Sequence, residues 1–83
     1  MKSLDERLML AKTILCELSK EPLSRTILDK RVIRKIGTHA SFEGMFRYLR
    51  DKGCIQKSGK KHRDLYSITE SGRKFLAGLE ALS

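Results

Sequence analysis

No stretch of this 83-residue chain approaches the ~18 consecutive apolar residues that a membrane span requires, so a membrane-spanning helix is not expected. The start, MKSLDERLMLAK, places acids ahead of its apolar residues and offers no small-residue cleavage site, which argues against a signal peptide. These two absences make the cytoplasm the expected location. Aromatic residues are scarce, at 6% with no tryptophan, and those present fall at positions that read as core. The exposed stacking aromatics of common RNA-binding modules are therefore missing. Asparagine is absent and Gln56 is the single glutamine, a sparsity found in some heat-adapted proteins. The two cysteines, Cys16 and Cys54, are far apart in apolar surroundings and read as two reduced, buried thiols, with an inter-subunit disulfide through Cys16 as the alternative. Together with His39 and His62 they match no compact metal-ligand spacing, so no metal is expected. No glycine-rich phosphate loop, paired catalytic carboxylates or nucleophile elbow is visible, and Asp64 beside Arg63 reads as a local ion pair. Neither an enzyme nor a cofactor is expected, and no small-molecule pocket is legible.

What the chain has in excess is positive charge, and the excess is confined to one region. The net charge is +8, yet the charges of residues 1–24 sum to zero, as do those of residues 65–83. The whole surplus lies in residues 25–64. Solubility alone does not require that segregation, whereas a polyanionic partner does.

Periodicity divides the chain into helices and a hairpin. A capping box, Ser3-Leu4-Asp5-Glu6, opens a helix expected over Leu4 to Ser19, with Leu4, Leu8, Ala11, Leu15 and Leu18 on one face. Met9, Leu10, Ile14 and Cys16 widen that face, and Pro22 bars continuation. PLSR is short enough for a minor strand. A second helix is expected from Thr26, as cap, to Ile36, with Asp29 in its first turn and Gly37 after its end. A third is expected from Ser41, as cap, to Lys52, with Phe42, Met45, Phe46 and Leu49 facing the core and Gly53 as its stop. Strands follow at about Cys54–Lys57 and Leu65–Ile68. Thr69 caps a final helix carrying Phe75, Leu76, Leu79 and Leu82. The short GTHA link between the second and third helices suggests a helix-turn-helix, and the hairpin adds a wing.

Three stretches carry a resemblance. ASFEGMFRYLRDKGCI resembles the recognition helix and wing entry of winged helix-turn-helix proteins. LYSITESGRKFL is similar to their second wing strand and following helix, and LSRTIL suits small archaeal winged-helix regulators and chromatin-associated proteins, with MarR- and PadR-type repressors as broader relatives. The resemblance implies one α+β, mainly helical domain over residues 1–83, with a three-helix core, a two-stranded β wing and a C-terminal helix. It also implies a homodimer that binds double-stranded DNA.

In that fold the third helix enters the major groove by its N-terminal end. His39, Ser41, Glu43, Gly44, Arg47 and Arg50 are then expected at base edges or the nearest phosphates, with Arg47 best placed for a bidentate contact to guanine. Lys57, Lys60, Lys61, His62 and Arg63 are expected on or beside the wing, reaching phosphates or the minor groove. Arg31, Arg34 and Lys35 of the second helix, with Arg25, are expected to face the same duplex. Met9, Leu10 and Ile14, with Leu76 and Leu79, are expected to form an isologous dimer face, because a single small core cannot easily bury so broad a stripe. Such a dimer sets its recognition helices ~34 Å apart and calls for a pseudo-palindromic site. Two other readings fit the same charge and fold: a sequence-neutral architectural DNA binder, and a winged helix used as a protein-interaction module.

Overall fold

The computed structural model describes residues 4–57 and 65–81. In chain order the elements are α1 (Leu4–Lys20), β1 (Leu23–Ser24), α2 (Arg25–Ile33), α3 (His39–Asp51), β2 (Ile55–Lys57), β3 (Leu65–Ile68) and α4 (Glu70–Ala81). PLSR does supply a strand. It makes a three-stranded antiparallel sheet of order β1-β3-β2, in which Leu23 stands opposite Tyr66, and Ile55 opposite Ile68. Ser3 of the expected capping box lies outside the described residues.

Helix α1 is the hub, since α2, α3, α4 and β3 all pack against it. A helix surrounded on several sides buries a wider stripe than a surface helix does. This corrects the expected dimer face: Leu10, Ile14, Leu76 and Leu79 are all core residues of the single chain, with Ile14 wholly buried. The breadth of the stripe reflects the central position of α1. Of the five residues only Met9 is exposed, at 54%.

Two helix starts differ from expectation for the same reason, a hydroxyl one step earlier in space. Ser24, still extended in β1, caps α2 by accepting a hydrogen bond from the amide of Ile27, so Thr26 lies inside the helix. Thr38 caps α3 by accepting from the amide of Ser41 at 3.2 Å, which places His39 as the first helical residue and Ser41 inside. Asp29 consequently sits past the first turn of α2, and the helix ends at Ile33, three residues short of the expected Ile36.

The exit of α3 is tightly specified. Gly53, at φ 77°, takes the left-handed conformation that closes a Schellman motif: its amide donates to Arg50 and the amide of Cys54 to Leu49. Helix α4 docks on this turn. Thr69 donates its amide to the Cys54 carbonyl and its hydroxyl to the Gly53 carbonyl at 2.6 Å, and its Oγ1 accepts from the amide of Gly72. The core between these layers combines Leu15, Leu18, Leu28, Val32, Phe42 and Leu49 with the sheet residues Ile55, Tyr66 and Ile68. Cys54 is buried with a free thiol, its pKa raised by desolvation, and Cys16 is half-buried and also free.

Candidate nucleic-acid interface

Helix α3 carries its apolar residues at Phe42, Met45, Phe46 and Leu49, which turns another line outward. That line runs His39, Glu43, Arg47, Arg50, at the steps of four and three that stack on one helical face. His39, Arg47 and Arg50 are exposed, and the Glu43 side chain is 44% exposed. Among the described residues Arg47 and Arg50 have no ion-pair partner, so their guanidinium groups are open to a ligand.

Two of the six expected recognition residues sit off this line. Ser41 is half-buried, accepts a hydrogen bond from the Thr38 hydroxyl, and lines a shallow cleft against α1 with Arg7, Leu10 and Tyr48. Gly44 borders the same cleft at an exposed position, where an added Cβ would meet nothing within 4 Å. Nothing inside the chain requires glycine there, although it costs ~1 kcal/mol of helix stability relative to alanine.

The other end of the line is tied to α2. Arg25 pairs with Glu43 and lies over the Phe46 ring, 5.8 Å from its centroid. Asp29 Oδ2 accepts from His39 Nδ1 at 2.7 Å. Arg25 and Asp29 are one turn apart on α2, and Glu43 and His39 are one turn apart on α3, with the charges in opposite order. Two cross-helix pairs thus set the angle at which α3 stands out from the body. The matched spacing of opposite charges was present in the sequence, and it is the signal by which this partnership could have been found there.

The remaining cations of α2 do not join this surface. Arg31 and Lys35 reach instead to Glu17 of α1, Lys35 Nζ at 2.5 Å and Arg31 at 3.6 Å, and Arg31 also reaches Glu21. The expectation that they share one face with Arg47 is corrected by this placement. The reason is Glu17, whose side chain is 5% exposed and must be compensated where it lies. Arg34 is exposed at the C-cap of α2.

Glu17 also makes stability depend on acid. The Lys35 hydrogen bond, with attraction from Lys35, Lys20 and Arg31, outweighs desolvation and holds its pKa below the ordinary glutamate value. A carboxylate depressed in the folded state contributes its full stabilisation above its unfolded pKa of about 4.3, and loses it as pH falls through the lower folded value. Glu17→Gln is expected to cost about 1–2 kcal/mol at neutral pH, because Lys35 and Arg31 are exposed enough to rehydrate. The gap from wild type should close below about pH 4, as followed by urea unfolding across pH.

Strand β2 ends at Lys57, exposed and opposite Tyr66, whose ring meets Phe46 edge-on at 4.8 Å. The strand pair therefore leaves the body beside α3. Lys60, Lys61, His62 and Arg63 of the expected wing lie outside the described residues. Among the described residues no group of three or more His, Cys, Asp or Glu is placed to hold a metal, and no helix is long and apolar enough to cross a membrane.

No family model matches the chain, and no curated protein matches it significantly. Solved structures do. The chain is similar to a PadR-like transcription factor from Bacteroides fragilis, at TM-score 0.75 and 23% identity over 92% of this chain and 81% of that one. It is similar to smu.1704 from Streptococcus mutans UA159, at TM-score 0.82 and 20% identity over 99% and 82%. A structure titled a predicted DNA-binding transcriptional regulator from E. coli aligns at TM-score 0.62 and 27% identity over 87% and 75%. The fold is accordingly the winged helix-turn-helix that the three sequence stretches resembled.

Proposed function

We propose that this chain is a sequence-specific, double-stranded-DNA-binding transcriptional regulator that acts as a homodimer in the cytoplasm, on the nucleoid. The observation that carries the reading is the outward line of α3: two arginines without ion-pair partners among the described residues, on a helix whose apolar side is fully occupied by core packing. Arg47 reads a base edge, most favourably guanine by a bidentate contact, and Arg50 holds the adjacent backbone. The wing carries Lys57, Lys60, Lys61, His62 and Arg63 to phosphates or the minor groove, and Arg34 adds a backbone contact. Gly44 lets the groove edge approach the helix backbone, which gives its helix cost a purpose. The transcription-factor titles of the similar structures support the same reading. Met9 and neighbouring exposed surface of α1 contribute to the dimer contact. The reading calls for no enzyme activity, cofactor or small-molecule ligand.

The test is selection of bound duplexes from a random pool, with particle mass followed by light scattering. A shared, pseudo-palindromic site and a doubled mass on one duplex are expected. If each subunit neutralises about five phosphates, the slope of log affinity against log salt should be near −9 for the dimer. Binding indifferent to salt would refute the reading. Enrichment of no sequence, with the salt slope intact, would support an architectural binder instead.

A further inference from the structure

We propose that Asp29 is a positioning residue for DNA recognition: it keeps the His39 imidazole charged and turned so that its Nε2–H is presented to a backbone phosphate. The inference rests on the DNA-binding reading above and concerns how that surface is controlled.

The geometry is asymmetric in a useful way. His39 stands at the head of the outward line of α3, with its side chain 71% exposed, while Asp29 on α2 is only 18% exposed. An ionised carboxylate only accepts hydrogen bonds, so the 2.7 Å contact places a hydrogen on Nδ1. In the neutral ring the outward Nε2 would then carry a lone pair, which a phosphate repels. In the charged ring it carries a hydrogen, which a phosphate accepts in a charge-assisted bond. Asp29 thus leaves His39 with two states that differ in sign toward DNA.

A second observation favours the charged state. Asp29 Oδ1 is buried and has no hydrogen-bond partner, and among the described residues His39 is the one group paired with this carboxylate. A largely buried carboxylate with an orphan oxygen is costly unless a cation offsets it. The imidazolium is that cation. The other charged groups about His39 do not supply it: Arg25 of α2 is taken by Glu43, one turn along α3, and Arg7 of α1 lies across Ala40 and Ser41 on the other flank. Imidazole changes charge in the physiological range, so the grip on phosphate is pH-dependent.

The test exploits an opposed sign. Removing an acid beside a polyanion ordinarily tightens binding. Here Asp29→Asn is expected to weaken it, by about five-fold near pH 6.5, because one charge-assisted phosphate contact is lost. His39→Gln, at an exposed position that the fold does not depend on, should weaken binding to the same degree, and the double variant no further. All variants carry His62→Gln, which removes the other titrating imidazole, and binding is read by fluorescence anisotropy on the selected duplex between about pH 6 and pH 8. The parent should bind more tightly as pH falls, and Asp29→Asn should flatten that slope. In the free protein, imidazole nitrogen shifts by NMR should show the His39 titration moved to lower pH in Asp29→Asn. Asp29→Asn binding as tightly as the parent, with the same pH profile, would overturn the inference while leaving the DNA reading standing. Absence of any duplex binding by the parent would remove that reading and the inference with it.

Discussion

Gly72→Ala is expected to lower stability by about 3–4 kcal/mol, a large part of the roughly 4–12 kcal/mol available to a chain of this length. A Cβ at Gly72 would be driven onto the carbonyl oxygen of Cys54 and would stand 2.7 Å from Ile68 Cγ1. That oxygen cannot swing aside freely. It accepts the Thr69 amide at 2.9 Å, while the Cys54 amide is held by Leu49 in the turn that ends α3. Relief requires α4 to lift off, which uncovers Leu76 and Leu79. Gly78 of the same helix is the internal control, since a Cβ there meets nothing within 4 Å. Gly78→Ala should raise stability by up to ~1 kcal/mol through helix propensity. Urea unfolding of the two variants measures both effects. Equal midpoints for Gly72→Ala and wild type would mean that α4 does not dock on the turn as described.

Arg47→Ala is expected to weaken binding to the selected duplex by roughly 10- to 100-fold, the value of one bidentate base contact, and to relax the preference at a single base pair. Affinity for random duplex should change far less. Lys60→Ala, Lys61→Ala and Arg63→Ala together should behave in the opposite way. They should weaken selected and random duplexes alike and make the salt slope shallower by nearly 3, about 0.9 for each phosphate released. Arg47 and the wing therefore separate into a reader and a holder in one pair of titrations. If Arg47→Ala weakened all duplexes equally, base reading by α3 would be refuted. Unchanged retention on DNA after loss of the three wing cations would favour a protein partner for this surface.

Much of this was legible from residues alone. The stretch Tyr66-Ser67-Ile68-Thr69-Glu70-Ser71-Gly72 resembles a family pattern, and the structure gives a physical reason for its named letters. Tyr66 and Ile68 point inward from β3, Thr69 caps α4, and Gly72 allows the close approach to Cys54. Strand alternation and the α3 periodicity likewise read correctly, because each depends on neighbours within a few residues. Cap positions read less well. Ser24 and Thr26, or Thr38 and Ser41, are chemically alike, and only the backbone direction entering the helix selects between them.

By itself the sequence determined the element order, the inward faces, the two positive-φ glycines that bound α3 and the concentration of charge in residues 25–64. All of these follow from local periodicity, steric permission and composition. Only the tertiary structure decided where the cations and the apolar excess go. Arg31 and Lys35 turn back to a buried Glu17, Arg25 and Asp29 bind α3, and Leu10, Ile14, Leu76 and Leu79 close one core around α1. The physical reason is that pairing energy and burial depend on which helices lie side by side, and residues ten to eighteen positions apart along the chain meet only after it has folded.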